Sequence, residues 1–230
     1  MRLNHMIESN DQAHREADMS GSTRHEVTGN VAAIERPTPM VLSVARRLRD
    51  AFERGATFTA TDAARTIRLS STTDAQQAFV TFAGPEITVS ADSAEEPDLT
   101  WDVRWPDPAP AEIDSEALGG FAKEVQVLLA GPDIDWRTAA ETFWARVSEL
   151  RGMPGGLNIY CFDENEFASF GDGENNAYSF LGSSAALSRM FGGRSLVMEE
   201  LEGGELALHG SISDLSALIG ANLKVVCGEL

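Results

Sequence analysis

The sequence predicts an α+β protein with a mainly antiparallel sheet, and three observations support that class. Short runs rich in β-branched and aromatic residues alternate in polarity between Gly, Pro and Asp turns, as antiparallel strands do. Longer segments place apolar residues every three or four positions, as amphipathic helices do. The hydrophobic fraction of 43% is sufficient to bury a core in a chain of 230 residues.

Residues 1–38 contain few large apolar side chains and show no hydrophobic periodicity. Such a segment cannot offset its own ordering entropy, so we expect a disordered leader that ends at a Pro-Thr-Pro run. It contains three of the four histidines of the chain: His5, His14 and His25. Because their scatter gives no chelating pair, the sequence predicts no metal site.

The next segment predicts one helix followed by five strands. Apolar residues recur with a 3.6-residue period over 41–52, and Gly55 closes this helix. The strands are predicted over 57–59, 66–69, 78–82, 87–90 and 99–105. In the last strand alternate positions place two tryptophans on one face, which buries much apolar area.

Two helices are then predicted, over 115–130 and 135–150, with Asp135 as the N-cap of the second. A Pro-Gly-Gly run at 154–156 marks the boundary between a first unit, 39–156, and a second, 157–230. We expect the two units to pack as one body.

Strands resume in the second unit, over 157–162, 167–171, 177–182, 196–198 and 205–210. A short helix is predicted over 184–191, and a helical turn over 214–220 leads into a final strand over 223–227. The run 171–176 is acidic and glycine-bearing but lacks the ligand spacing of a calcium loop, so we expect a hairpin turn.

Residues 157–230 resemble the sterol carrier protein 2 (SCP2) family of lipid-binding domains. The likeness is carried by residues 178–184, a strand running into a polar helix start, and 185–193, a helix ending in glycine. It continues in 204–211, a strand closed by glycine, and in 215–224, a closing helix and strand. The chain is longer than the family pattern and has two substantial helices before the resembling unit. Residues 98–131 repeat the same order loosely, so a degenerate tandem repeat is one interpretation.

The resemblance implies an SCP2-like sheet covered by helices on one face, with an apolar tunnel between the layers. The side chains that we expect to line it are aromatic or flexible and apolar: Trp101, Trp105, Phe121, Leu128, Phe143, Trp144, Phe180, Leu187, Met190, Phe191 and Met198. An apolar cavity binds an apolar ligand, and methionine adapts to irregular ligand shapes. The alternative is that the same side chains form an ordinary core.

The charge and composition of the chain restrict the kinds of molecule that we expect it to bind. A formal net charge of −18 and a pI near 4.5 disfavour nucleic acids and anionic membrane surfaces, because like charges repel. No run approaches the ~20 apolar residues that span a bilayer, and the N-terminus lacks a secretory signal, so we expect a cytoplasmic protein. Cys161 and Cys227 lie in predicted strands, and we expect buried free thiols, with a disulfide as the alternative.

Motifs for catalysis and cofactors are lacking. The sequence contains no phosphate-binding glycine loop, nucleophile elbow or zinc-protease helix, so no cofactor is predicted and the balance leans away from an enzyme. His209 is the one histidine outside the leader and the single weak catalytic candidate. Its candidate partners in acid–base chemistry are Cys161, Cys227, Asp163, Glu164 and Glu166.

We therefore expect non-catalytic binding or carriage of an apolar, lipid-like small molecule. One alternative is an interaction or assembly module that holds a protein partner, or forms a homo-oligomer, through acidic surfaces at 86–116 and 199–202. The other is a cyclase or isomerase acting on an apolar substrate, with His209 or a carboxylate as the acid–base group.

Overall fold

The computed structural model describes residues 25–34, 36–60, 63–114, 116–172 and 177–230. These residues form an α+β arrangement of helices and mixed sheets, which confirms the predicted fold class. The helices are α1 (Pro39–Glu53), α2 (Phe121–Ala130), α3 (Trp136–Val147), α4 (Ser184–Phe191), α5 (Val197–Glu202) and α6 (Ile212–Cys227). The strands are β1 (His25–Val27), β2 (Asn30–Ala33), β3 (Phe58–Ala60), β4 (Arg65–Ser71), β5 (Gln77–Ala83), β6 (Glu86–Ser90), β7 (Leu99–Val103), β8 (Gly156–Cys161), β9 (Glu166–Gly171), β10 (Ala177–Gly182) and β11 (Leu206–His209). Among the described helices, none has the length and apolarity needed to cross a bilayer.

The first sheet has the strand order β2-β6-β5-β4-β7. Strands β4, β5 and β6 form an antiparallel meander, whereas β7 pairs in parallel with β4 and β2 pairs in parallel with β6. The period-two alternation of the sequence decides which face is buried, so Ile67 and Leu69 of β4 point into the core. Helices α1 and α2 contribute to the same core, where the ring of Phe82 meets Phe58 and Phe121 edge to face.

The second sheet has the strand order β11-β10-β8-β9. Strand β10 is parallel to β8 and antiparallel to β11, and β8 is antiparallel to β9. Leu157 and Ile159 of β8 are fully buried against helices α3, α4 and α6, which supply Phe143, Leu187 and Leu218. The opposite face of this sheet is more exposed to solvent.

The two halves of the chain share one connectivity. In each, a helix precedes a strand that pairs antiparallel with the next strand and parallel with a later one. These elements are α1, β4, β5 and β7 in the first half and α3, β8, β9 and β10 in the second. Helices α1 and α2 belong to the first hydrophobic cluster and α3 to the second, and Val226 of α6 belongs to the first again. The run 154–156, at which the sequence predicts a boundary, connects α3 to the start of β8.

The C-terminal segment differs most from prediction. Residues predicted as a turn and a final strand form the single helix α6, and Ser211 Oγ caps it by accepting a hydrogen bond from Asp214 N at 3.0 Å. Leu218, Ala221 and Val225 are three or four residues apart and all buried. The valine-rich end favours a strand locally, but strand propensities span only ~1 kcal/mol, and packing of the apolar stripe outweighs them.

Two shorter predictions are also wrong. Residues 196–198, predicted as a strand, lead into α5, where Leu196 N donates to Glu199 Oε2 at 3.1 Å and so satisfies the helix start. Strands β9 and β10 are not neighbours, since β10 pairs with β8 in parallel. No hairpin therefore joins these two strands, and residues 173–176 of the predicted turn lie outside the described part.

The helices predicted over 115–130 and 135–150 are present but shorter. A 3₁₀ turn (Ala117–Gly120) precedes α2, and Gly120 has a positive φ of 91° at the junction. Asp135 caps α3 as predicted, because its Oδ1 accepts a hydrogen bond from Thr138 N at 2.9 Å.

The predicted leader extends too far along the chain. Strand β1 pairs with β3, and β2 joins the first sheet beside β6, although both lie within residues 1–38. Between them, a Cβ on Gly29 would lie 2.4 Å from Ile87 Cδ1 and 2.7 Å from the ring of Phe52, so only glycine allows this approach. His5, His14 and the rest of residues 1–24 lie outside the described part.

Candidate functional site

The side chains predicted to line a tunnel do not meet around one cavity. Those in the core of the first half are Trp101, Trp105, Phe121 and Leu128. Those in the core of the second half are Phe143, Phe180, Leu187, Met190 and Phe191, with Trp144 packed at its edge. Met198 is 42% exposed, because residues 197–202 form a helix whose other side is buried. Only Phe143 and Phe191 also reach one of the clefts described below.

The structure does not bring the predicted acid–base set together around His209. This histidine is exposed at the end of β11, opposite Ser179. Cys161 is buried on the other face of the sheet, where its Sγ donates to Asp163 Oδ1 at 3.0 Å. Burial, and then this hydrogen bond, raise the pKa of Cys161 to about 11, which leaves the thiol protonated at neutral pH.

Both cysteines are free and buried, as expected, although Cys227 ends a helix and not a strand. Among the described residues, no group of three His, Cys, Asp or Glu side chains is arranged to hold a metal ion.

Helix α1 lies between the two halves of the molecule. Its apolar stripe, including Val41, Val44 and Leu48, belongs to the core of the first half. On the opposite side of the helix, α6 and the loop after α4 cover Arg46, and Arg47, at the edge of the apolar stripe, is buried as well. A pair of adjacent buried arginines is unusual, since arginine is almost never fully buried unless it is paired.

Arg46 is paired at every nitrogen. Its Nε donates to Val226 O at 3.1 Å, its Nη2 to Gly193 O at 2.7 Å and its Nη1 to Asp50 Oδ2 at 2.9 Å. Burial lowers the pKa of Arg46, and the carboxylate of Asp50 opposes that effect. Arg46 therefore joins α1 to two segments of the second half through hydrogen bonds.

Arg47 is the more buried of the two, at 4% exposed, and it is not paired in this way. Its Nε and Nη2 have no hydrogen-bond partner, and the nearest carboxylate oxygen, Asp107 Oδ1, lies 3.9 Å from Nη2. Burial, and then the charge of Arg46, lower the pKa of Arg47 to about 9. The guanidinium remains charged at neutral pH without a counter-ion in hydrogen-bond contact.

Arg194, in the loop after α4, approaches the same place. Its Nε is buried without a hydrogen-bond partner, and its Nη2 lies 3.6 Å from Asp107 Oδ2. One carboxylate is thus shared between Arg47 and Arg194, at distances longer than a hydrogen bond.

These arginines surround a small cavity of about 30 Å³, which we call the arginine pocket. A single water needs roughly 10–15 Å³. The lining residues are Arg46, Arg47, Asp50, Arg54, Pro132, Ile134, Ser188, Gly192 and Arg194. The lining thus carries four guanidinium groups and one carboxylate, in a chain with a formal net charge of −18.

A larger cleft of about 380 Å³, which we call the interhalf cleft, adjoins the arginine pocket. The apolar part of its lining is formed by Ile134, Ala139, Phe143, Phe191, Gly192 and Val225. The polar part is formed by Arg46, Asp50, Glu53, Arg54, Thr138, Thr142 and Arg146. Five residues, among them Arg46, Arg54 and Ile134, line both the pocket and the cleft, so the two spaces are contiguous.

Two further clefts, of about 460 and 480 Å³, lie along the same boundary and share Arg189 and Arg194. Arg189 is held by Glu200, with Nε–Oε1 and Nη2–Oε2 distances of 2.9 and 2.8 Å. The linings of these clefts are mainly polar and charged, whereas two phenylalanines, Phe143 and Phe191, line the interhalf cleft.

The uncovered face of the second sheet carries a row of exposed apolar side chains, which we call the apolar row. Phe167, Tyr160 and Leu181 are in register on β9, β8 and β10, and Ala207 continues the row on β11. The first three are 58%, 37% and 41% exposed. The corresponding face of the first sheet is mainly polar.

Sequence reasoning missed the arginine pocket. Arginine beside an apolar stripe is usually exposed, so the pattern of the first helix does not predict that Arg46 and Arg47 are buried. A signal was present: Arg47 is three residues after Val44 and four before Ala51, both buried, so it lies on the edge of the apolar face. The covering segments come from more than 140 residues further along the chain, and no local pattern predicts them.

Comparisons of the chain with protein-family models, with curated proteins and with solved structures found no match.

Proposed function

We propose that the protein binds a small molecule with an apolar body in the interhalf cleft, without covalent chemistry. The observation that supports this most directly is the apolar floor of the cleft, formed by Phe143, Phe191, Ile134 and Val225. Ligand sites are typically concave, roughly 300–1,000 Å³ in volume and mainly apolar, with a few polar groups that orient the ligand. The cleft, at about 380 Å³, falls in this range.

The position of the cleft also supports the proposal. Ligand sites occur preferentially at the boundaries between packed bodies. The floor comes from α3, α4 and α6 of the second half, whereas α1 of the first half supplies part of the rim. A ligand in this place would contact both halves and stabilise their contact. At one hundred times its Kd, a ligand that binds only the folded state adds ~2.7 kcal/mol to the free energy of unfolding.

This site differs from the tunnel that the resemblance implied, since the ligand would lie between the halves and not between a sheet and its helices. Phe143 and Phe191 keep their predicted role as binding residues. Of the other predicted wall residues, Phe180, Leu187 and Met190 pack in the same core as the floor of the cleft.

The test fills the cleft and measures the binding of uncharged apolar probes. Thr142 is exposed on α3 and lines the cleft, whereas its neighbour Glu141 is exposed and does not. We expect Thr142→Trp to weaken binding of the uncharged dye N-phenyl-1-naphthylamine and of decan-1-ol by about tenfold or more, because the indole occupies the site. Glu141→Trp adds the same indole outside the cleft and should leave binding within about twofold. Equal binding by wild type and Thr142→Trp, or no binding by either, would overturn the proposal.

A second candidate function is protein docking at the apolar row. We propose as its occupant a protein with an apolar patch inside a basic rim. The formal net charge of −18 attracts a basic partner and repels a second copy of the chain. Exposed apolar patches rimmed by polar residues commonly mark interaction sites.

The docking proposal is tested on a protein that the chain captures. That protein is purified and then titrated against the wild-type chain and its variants. We expect Phe167→Ser to weaken that complex by about tenfold or more, since central aromatic side chains dominate interface energies. Val127→Ser is the control, because Val127 is a 59% exposed apolar side chain on α2, in the other half. Unchanged affinity for Phe167→Ser, or self-association of the chain through this face, would exclude the proposed occupant.

A further inference from the structure

We infer that the arginine pocket binds the anionic group of the ligand, a carboxylate or another oxyanion, while the apolar body of the ligand lies in the interhalf cleft. The position of the apolar body rests on the proposed function. The anion site rests on the pocket alone, and the two parts can be tested separately.

The first argument is the unpaired state of Arg47. Its side chain is 95% buried, with a relative exposure of 5%, and two of its nitrogens lack any hydrogen-bond acceptor. Buried polar groups in folded proteins are nearly always hydrogen-bonded, and a buried charge without a partner is costly. Arg47 lines the pocket, and a shift of its guanidinium toward an anion held there would give Nε and Nη2 the acceptors that they lack.

The second argument is the balance of charge. Four guanidinium groups line the pocket, and its one lining carboxylate, Asp50, already accepts from Arg46 at 2.9 Å. Asp107 lies between Arg47 and Arg194 but reaches neither within hydrogen-bond distance. Asp133, which is exposed, lies 3.9 Å from Arg194 Nη1. The pocket lining itself carries more positive than negative charge, in a strongly acidic chain, and this favours an anion over a cation.

The third argument is the shape of the arginine group. A guanidinium presents parallel N–H donors that match the two oxygens of a carboxylate, phosphate or sulfate. Nε and Nη2 of Arg47 form one such edge, and both are without a partner. Gly131, with a positive φ of 68°, lets the backbone run beside the guanidinium, since a Cβ there would lie 3.3 Å from Nη1.

The fourth argument is continuity. The pocket and the interhalf cleft share Arg46, Asp50, Arg54, Ile134 and Gly192 in their linings. A ligand with an anionic end in the pocket can therefore extend its apolar body over Phe143 and Phe191. The expected ligand class is an amphipathic anion, such as a medium-chain carboxylate or a phosphorylated apolar alcohol.

The test compares probes that differ only in the charged end. Decanoate and decan-1-ol are titrated against the full chain by calorimetry, and sulfate alone is tested by thermal shift against chloride at matched ionic strength. We expect decanoate to bind at least about tenfold more tightly than decan-1-ol, because charge-assisted hydrogen bonds are the stronger ones. Decyl phosphate distinguishes a phosphate end from a carboxylate end.

Variants then locate the anion. Arg47→Met and Arg194→Gln should each remove most of the preference for decanoate and reduce the sulfate shift, and Arg194→Gln guards against a folding defect in the first variant. Arg137→Gln is the control with the same loss of charge, because Arg137 is exposed and paired with Glu166 at 2.7 Å. A preference for decanoate that persists in both pocket variants, or that is lost equally in Arg137→Gln, would overturn the inference.

The experiments distinguish a failure of the proposed function from a failure of the anion inference. If sulfate stabilises wild type and not Arg47→Met, but no decyl probe binds, the pocket is an anion site and the proposed function is wrong. If decan-1-ol and decanoate bind equally and Thr142→Trp abolishes both, the cleft is the site and the anion inference is wrong.

Discussion

Arg46 and Arg47 are neighbours on α1, both are buried, and each has a glycine with positive φ against its guanidinium. Gly193 supplies a carbonyl to Arg46 at 2.7 Å, whereas Gly131 lies beside Arg47 without giving it a hydrogen bond. The region around Arg46 is complete: three donors meet three acceptors. The region around Arg47 is incomplete, with two buried donors and no acceptor.

This difference separates a structural arginine from a binding arginine. A buried group whose hydrogen bonds are all made within the chain contributes to joining the halves, and nothing further is needed to explain it. A buried group with unmade hydrogen bonds costs free energy in the folded state, and a ligand can recover that cost. Asn222 of α6 belongs with Arg46, because Met190 O, Ser195 O and Val197 N all pair with its amide.

The largest effect that tests this comparison is expected for Arg46→Leu. The substitution leaves Asp50 and two buried carbonyl groups without their donors, so we expect the free energy of unfolding to fall by about 3–5 kcal/mol. Urea denaturation measures it. Arg137→Leu, which breaks an exposed pair, should cost no more than about 1 kcal/mol. Comparable values for the two variants would contradict the structural role of Arg46.

The pH dependence of stability is the next effect in size. Folding lowers the pKa of Arg47 from its ordinary value to about 9, so between pH 9 and that ordinary value the unfolded state binds more protons. This group therefore adds stability as the pH rises above 9, by up to about 1.4 kcal/mol per unit, and the gain is lost as the pH falls through 9.

Cys161 has the opposite effect on the pH dependence of stability, because its pKa is raised to about 11 in the folded state. The measurement is therefore the difference in free energy of unfolding between wild type and Arg47→Met, which share that cysteine. The difference should shift in favour of wild type from pH 8 to pH 10. A flat difference would show that Arg47 does not carry a lowered pKa.

The smallest loss of stability is expected for Arg47→Met at neutral pH without added anions. Replacing an uncompensated buried charge by an apolar side chain of similar length is often neutral or stabilising, so we expect the free energy of unfolding to fall by no more than about 1 kcal/mol. The measurement is urea denaturation in chloride buffer. A loss as large as that of Arg46→Leu would mean that Arg47, too, is a structural arginine.

Much of the fold could be predicted because its elements have strong local patterns. The helix at 41–52, the N-cap at Asp135 and the alternating strands β4, β5 and β6 appear close to where the sequence predicts them. Residues 196–198 and 223–227 are predicted as strands because their β-branched residues favour a strand locally, but they lie at the start of α5 and at the end of α6. Parallel pairing of β7 with β4 and of β10 with β8 could not be predicted, since it joins distant segments.

The candidate site was predicted in part. Phe143 and Phe191 were named as binding residues, and the structure places both in the interhalf cleft. The arginines of the pocket were not named. The binding role of all these residues remains a proposal that the variants above can test.

The sequence by itself determined the α+β class, the acidic surface and the amphipathic face of α1, because each depends on composition or on near-neighbour periodicity. The tertiary structure decided which of two adjacent arginines finds acceptors. Val226 and Gly193 reach Arg46 from 180 and 147 residues away, and no acceptor reaches Nε or Nη2 of Arg47. Hydrogen bonding depends on position to within a fraction of an ångström, and only the packing of distant segments sets that position.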